Sequence, residues 1–309
     1  MNQAKVLNFF GLLLIMFGIS FAIPLFVAIF YGESLIRVFA LGMSILVLMG
    51  FLSWFFTKDN KQELSLSDGF VITVLFWIVL SVSGSIPFIL FGFGVVDSFF
   101  ESMSGITTTG ATVIAGLDDL PKSLLIYRQL LQWLGGMGLI VLAIAVMPLL
   151  GIGGGQLFKT QTPGPMSEQR LTPRITSTAR ALWSIYFVLT VLCIFAYRLA
   201  GMSYFDAVSH AFSTVSIGGF STHDLSIGFF DSLSIEIVCI TFMLLSAMSF
   251  AVHYSAIYRK QVLKYFYDPE LRFFVSLLIV ILGLVCLSLF ANDIDNPIRS
   301  GLFQTVSIL

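Results

Sequence analysis

Seven stretches of this chain, residues 6–32, 38–57, 69–96, 129–158, 181–197, 237–258 and 273–292, contain no Asp, Glu, Lys or Arg. A helix needs roughly 20 apolar residues to cross a bilayer core, and each stretch reaches or nearly reaches that length. Seven spanning helices are predicted. The first stretch far exceeds the roughly 7–15 apolar residues of a cleavable signal and no small-x-small site closes it, so an anchor helix is expected there. Of the 309 residues 57% are hydrophobic and 11% charged, against about 25% charged in soluble domains. The chain is therefore read as an all-α integral membrane protein. A formal net charge of −1, with no basic stretch interleaved with aromatics, excludes a nucleic-acid role. An intramembrane enzyme would need a nucleophile with its base, or paired carboxylates at membrane depth, and the seven stretches offer neither. Cys193, Cys239 and Cys286 each sit in an apolar run without metal or redox spacing, and read as small core residues.

Two shorter charge-free stretches, 102–117 and 207–223, are rich in Gly, Ser and Thr. Lipid-facing helix is a poor reading of that composition, whereas a re-entrant segment shielded by protein accommodates it. Loop charges then set direction. With the N-terminus inside, the inner loops hold eleven of the sixteen Lys and Arg residues, and the outer side keeps Arg37, Lys122, Arg128, Arg198 and Arg299. The positive-inside rule places the N-terminus in the cytoplasm. The outer face is then net acidic, which concentrates cations by its field.

Behind two leading helices the chain repeats a unit of span, short amphipathic stretch, Thr/Ser/Gly stretch and span. In the first unit Asp97-Ser98-Phe99-Phe100-Glu101-Ser102-Met103-Ser104-Gly105-Ile106 leads to Thr107-Thr108-Thr109-Gly110. In the second, Tyr204-Phe205-Asp206-Ala207-Val208-Ser209-His210-Ala211-Phe212-Ser213-Thr214 leads to Val215-Ser216-Ile217-Gly218-Gly219. Gly110 and Gly218 are read as equivalent. A third unit begins with the span at 273–290 and stops at Leu309, just before its own Thr/Ser/Gly stretch is due, so an N-terminal portion of a longer chain is expected. A dehydrated alkali cation needs a ring of oxygen ligands, which backbone carbonyls supply without binding the ion too tightly. Glycine permits the positive φ that such a turn requires. The short helix ahead of each turn aims the negative end of its dipole at the ion. Carbonyls of Thr107, Thr108, Thr109 and Gly110, with those of Val215, Ser216, Ile217 and Gly218, are the candidate ion ligands. A secondary cation transporter with alternating access also uses repeats and interrupted helices; two units in one orientation suit a pore better.

These loops, together with Gln132-Trp133-Leu134-Gly135-Gly136-Met137-Gly138 and the pair Thr162-Pro163-Gly164-Pro165 and Leu171-Thr172-Pro173-Arg174, resemble the Trk/Ktr/HKT superfamily of potassium transport proteins, in its TrkH/TrkG-type membrane subunits. The resemblance implies two leading helices (1–68), a first repeat (69–158), a cytoplasmic loop (159–180), a second repeat (181–258), a further loop (259–272) and the start of a third repeat (273–309). It also implies potassium uptake across a bacterial inner membrane through one filter glycine per repeat, with K⁺ as the transported ion and no cofactor. Partners implied are a cytoplasmic nucleotide-binding regulator of TrkA type, membrane lipid and a second copy of the subunit.

Other residues read more plainly. Gly135, Gly136 and Gly138 suit close helix packing or a hinge. Gly151-Ile152-Gly153-Gly154-Gly155-Gln156 lacks both the last glycine and the preceding strand of a dinucleotide fingerprint. His210, His223 and His253 have no partners at metal-ligand spacing, although His223 and Asp224 are placed to line the outer mouth. Asp97 and Asp206 are expected to cap the short helices, and Glu101 to hydrogen-bond behind the first loop.

Overall fold

The computed structural model describes residues 3–58, 66–146, 175–294 and 296–308. They form α1 (Gln3–Ser20), α2 (Ala22–Tyr31), α3 (Ile36–Thr57), α4 (Leu66–Phe91), α5 (Val95–Ile106), α6 (Lys122–Val146), α7 (Ile175–Leu199), α8 (Tyr204–Val215), α9 (Leu233–Ala247), α10 (Phe250–Tyr258), α11 (Lys264–Tyr267), α12 (Pro269–Ala291) and α13 (Pro297–Ile308). Among the described residues five helical segments are long and apolar enough to span a membrane: Gln3–Tyr31, Ile36–Thr57, Ser67–Phe91, Arg180–Leu199 and Pro269–Ala291. The span expected at 129–158 corresponds to α6 as far as Val146; its remainder lies outside the described residues, as do the 159–174 loop motifs and the Gly151–Gln156 turn.

The span expected at 237–258 is not one helix. Its halves, α9 and α10, meet at 94°. Met248 and Ser249 adopt extended ψ values of 145° and 122°, which ends the ladder of α9. The His253 ring sits with Nε2 2.7 Å from the Leu245 carbonyl, a group that an unbroken helix would bond within its own backbone. Neither Pro nor Gly marks the break, so it is invisible to a hydropathy reading.

The leading helices pack through glycine. Gly11 and Gly18 on α1 and Gly50 on α3 bring the two backbones together: a Cβ on Gly50 would stand 2.6 Å from the Gly11 carbonyl, and one on Gly11 2.7 Å from the Trp54 nitrogen. The Ser53 hydroxyl donates to the Leu7 carbonyl at 2.8 Å across the same seam. This pair then clasps the first repeat. Tyr127 of α6 is fully buried, edge-on to Phe21 and Phe39 with ring centroids 5.2 and 5.5 Å away. Its hydroxyl donates to the Gly84 carbonyl of α4 at 2.7 Å. The Glu33 carboxylate, on the turn between α2 and α3, accepts from the Lys122 and Ser123 amides at 2.7 and 3.1 Å. It thus caps the N-terminus of α6, where free amides and the helix dipole favour an anion.

The glycine seam makes a direct prediction. Gly50→Leu forces α1 and α3 apart and costs at least the roughly 1–3 kcal/mol of an overpacked core, whereas Leu48→Ala on the exposed face of α3 leaves stability within about 0.5 kcal/mol. Melting of both variants in one detergent checks this, and equal midpoints would contradict the packing.

Candidate functional site

Two short helices end alike. In α5 the Thr108 amide donates to Gly105 at 3.0 Å and the Thr109 amide to Ser104 at 2.9 Å; in α8 the Ile217 amide donates to Thr214 at 3.1 Å and the Gly218 amide to Ser213 at 2.8 Å. Both pairs make a Schellman cap, in which the residue after the cap is left-handed. Here those residues are Thr108 (φ 55°) and Ile217 (φ 54°), β-branched in both loops, followed two residues later by Gly110 (φ 79°) and Gly219 (φ 84°). A β-branched residue at positive φ is a genuine outlier, and its recurrence at matching places marks a built turn held by its surroundings.

This geometry corrects the register read from the sequence. Thr107–Gly110 corresponds to Ser216–Gly219, so the partner of Gly110 is Gly219 rather than Gly218. Val215 is the buried last residue of α8 and matches Ile106. The Gly218 carbonyl accepts from Gln132 Nε2 at 2.5 Å while Gln132 Oε1 accepts from the Phe220 amide at 3.0 Å. The Gly218 oxygen is committed to the scaffold. The two loops meet directly: a Cβ on Gly110 would clash with the Gly218 oxygen, and one on Gly219 would lie 4.0 Å from the Gly110 Cα.

Behind the loops lies a polar brace. Glu101 is fully buried; it accepts from the Thr112 hydroxyl at 3.0 Å and the Val113 amide at 3.2 Å. His210 occupies the matching place on α8, with Nε2 3.0 Å from the Ser221 hydroxyl, and Ser221 matches Thr112. Arg128 joins the two halves. Its Nε donates to Glu101 at 2.8 Å, one terminal nitrogen to the Ser221 carbonyl at 3.0 Å and the other to the Thr112 hydroxyl at 3.1 Å, with the guanidinium carbon 4.4 Å from the Phe220 ring centroid. Arg128 therefore leaves the outer loop to which the charge count assigned it: it lies in α6 at zero exposure. The expected hydrogen-bonding role of Glu101 has its partners here.

The remaining expectations divide. Asp97 and Asp206 are third residues of their helices; the N-cap places belong to Gly94, which makes no side-chain cap bond, and to Ser203, whose hydroxyl accepts from the Asp206 amide at 3.1 Å. His223 and Asp224 fasten the outer loops together. Asp224 accepts from the Gly116 and Leu117 amides at 3.1 Å, and His223 stacks on Phe229 and bonds Asp118. That bond holds the Asp118 carboxyl below the usual carboxylate range. Cys193 and Cys239 are buried and Cys286 half-buried. Among the described residues no cluster of His, Cys, Asp and Glu is arranged to hold a metal. Gly135 and Gly136 pack against the loops, where Cβ atoms would strike the Ile106 carbonyl and approach Ser216 Cβ at 3.1 Å. Sequence reasoning missed Arg128 and the Gln132 clamp; the signal for Arg128 was an arginine one helical turn ahead of Gln132.

A family model described as "TrkH: Cation transport protein" matches residues 35–300. The chain belongs to this family. The Trk system potassium uptake protein TrkH of Vibrio parahaemolyticus is 47% identical over 318 residues, covering all of this chain and 65% of that protein. Its namesake in Halomonas elongata is 46% identical with the same coverages, and TrkG of Escherichia coli is 44% identical over 91% of this chain and 58% of its own length. The crystal structure of the potassium transporter TrkH from Vibrio parahaemolyticus superposes with a TM-score of 0.87 at 44% identity, covering all of this chain and 64% of that one. This TrkH-family chain thus spans about 65% of the length of these TrkH relatives.

The brace predicts a coupling. Arg128→Met strands a buried carboxylate and costs about 3–5 kcal/mol, while adding Glu101→Gln recovers part of that loss because no charge is left unpaired. A double-mutant cycle of unfolding in detergent checks it, and strictly additive losses would argue against the pair.

Proposed function

We propose that this TrkH-family chain contributes the first two pore loops of a potassium uptake protein, with Thr107–Gly110 and Ser216–Gly219 lining the ion path. The observation that carries this reading is the pair of matching Schellman-capped turns meeting at Gly110, Gly218 and Gly219. Two short helices aim their negative ends at one place, and non-helical backbone there is shielded by α6 rather than by lipid. Selection of an alkali cation by carbonyl oxygens needs such a turn held in fixed shape. Arg128, Gln132 and Gly135 supply the holding. The relatives' printed names supply the ion: they are potassium uptake proteins. An N-terminus in the cytoplasm, a bacterial inner membrane, a second subunit copy and a TrkA-type regulator docked through the basic 159–180 loop complete the reading.

The test uses the full-length protein in potassium-starved, uptake-deficient cells. Gly110→Ser and Gly219→Ser add a Cβ at positive φ where the loops touch, and each lowers the preference for potassium over sodium by about tenfold or more. Gly228→Ser, whose Cβ meets nothing within 4 Å, leaves the preference unchanged. Gly218→Ser clashes with Gln132 and reduces abundance. Unaltered selectivity in folded Gly110→Ser and Gly219→Ser proteins would refute the assignment.

A further inference from the structure

The 94° break between α9 and α10 has a consequence for the surface of the molecule. α9, 15 residues long, is roughly 22 Å at 1.5 Å per residue, short of a full crossing; with α9 along the membrane normal, α10 runs nearly parallel to the membrane plane. The next long helix, α12, begins at Pro269 and is 23 residues long, roughly 34 Å at 1.5 Å per residue. That is a full crossing of a hydrocarbon core about 30 Å thick, so the residues just ahead of Pro269 lie at the level of the headgroups. α10 itself is covered all round, with Val252, His253, Tyr254, Ser255 and Ala256 all buried, and exposure begins only at Ile257. His253 Nδ1 lies 2.7 Å from the Tyr265 hydroxyl, which pins the turn after α10, and α11 with it, against α10.

What this pinned segment shows outward is apolar and basic at once. Val262, Leu263, Phe266 and Tyr267 are 60%, 67%, 71% and 68% exposed. Beside them Lys260 and Lys264 line an open cleft of about 460 Å³ together with Gln261, Val262, Leu263 and Tyr267. Lys264 Nζ donates one long hydrogen bond, to the Ser255 hydroxyl at 3.3 Å. Arg272 bonds the Phe266 carbonyl at 2.7 Å and lies over the Tyr267 ring, stiffening the turn. The acidic residues facing this segment are Asp268 and Glu270, and Asp268 is engaged as the N-cap of α12, accepting from the Leu271 amide at 3.1 Å. Arg259, Lys260, Lys264 and Arg272 against Asp268 and Glu270 leave the patch basic.

We propose that residues 257–267 form an interfacial anchor that binds anionic phospholipid of the inner leaflet, with Val262, Leu263, Phe266 and Tyr267 entering the acyl boundary and Lys260 and Lys264 holding headgroup phosphates. Exposed aliphatic and aromatic groups alternating with lysines on a segment parallel to the membrane are the pattern of interfacial binding. A soluble protein docking here would leave the same apolar groups at the level where lipid already stands. The basic side chains match the negative surface potential of that leaflet, each contributing about fivefold in affinity. This inference rests on the cytoplasmic N-terminus of the proposed reading, which puts the segment on the inner face, and holds whichever ion the pore carries.

The test is spin-label depth measurement on the full-length protein, freed of its native cysteines and carrying Leu263→Cys or Phe266→Cys, in vesicles of phosphatidylcholine with increasing phosphatidylglycerol. The label should collide more often with oxygen than with a water-soluble nickel chelate. Added phosphatidylglycerol should immobilise it at low mole fraction, and 0.5 M salt should weaken that response. Lys260→Gln with Lys264→Gln should raise the phosphatidylglycerol required by about tenfold or more, while Lys260→Arg with Lys264→Arg should retain the response. Should the glutamine pair fail to fold, the salt dependence of the unaltered lysines still decides. A label more accessible to nickel than to oxygen would place the segment in the cytosol, as a surface for a soluble partner, and overturn the proposal. Immobilisation indifferent to phosphatidylglycerol would overturn it equally.

Discussion

Inside hydrocarbon every backbone polar group must find its partner within the protein, and a loop at that depth exists only where other segments supply them. The two loops of this chain meet that constraint in two steps. Schellman caps absorb the first amides after each short helix. Side chains of one neighbouring helix then absorb the backbone groups beyond the caps, Gln132 taking the Gly218 carbonyl and the Phe220 amide, Arg128 the Ser221 carbonyl. Glu101 takes the Val113 amide. A buried carboxylate needs a cation, yet a buried ion pair adds little stability over apolar packing. Its use here is geometric: the guanidinium is a rigid fork of donors, and this one reaches three acceptors on three segments. A lysine, a point charge on a flexible stem, could satisfy Glu101 but not hold the other two in register.

The two units share a backbone and differ in chemistry, and that difference joins them. Glu101 and His210 occupy the same place, as do Thr112 and Ser221. A neutral histidine is satisfied locally, by the Asp206 carbonyl and the Ser221 hydroxyl, so the second unit needs no outside charge. The first unit does need one, and the arginine that supplies it extends onward to the second loop. The third short helix departs further, with Arg299 where the others have Asp97 and Asp206. A cation in the first turn opposes the helix dipole; Glu236 of α9 offsets it with bonds of 2.7 and 2.8 Å, so here too a residue of the preceding unit joins one unit to the next.

Most of the architecture was legible because its cause is compositional. Charge-free length dictates long apolar helices, and glycine, serine and threonine between them mark the two capped turns after the short helices, so both could be read directly. The errors share a cause as well. Gly218-Gly219 offers two registers by identity alone, and the choice rests on left-handed backbone at Thr108 and Ile217, residues whose side chains argue against that conformation. Arg128 was placed outside because a charge ends a hydropathic run, although burial beside Glu101 reverses that logic. The break at Met248 and Ser249 carries neither Pro nor Gly, and the His253 bond to the Leu245 carbonyl across it is a contact within one segment that no periodicity reveals. Capping by Ser203 rather than Asp206 was a choice between two good caps, decided by where the helix begins.

α6 accounts for the placement of the leading helices. On its outer end the Glu33 carboxylate caps its amides, and on one side Phe21 and Phe39 close on Tyr127. On the other side Arg128, Gln132, Gly135 and Gly136 meet the two loops at intervals of about one helical turn or less. Residues three and four apart share a helix face, so 128, 132 and 135 form one stripe, and the missing side chain at Gly135 lets the Ile106 carbonyl approach the helix backbone. The stripe fails if α6 slides by even part of a turn. Glycine-packed leading helices, which touch neither loop through these bonds, fix α6 against such a slide. Their contribution to the site is therefore positional, delivered through Glu33 and the Tyr127 ring to backbone atoms they do not contact.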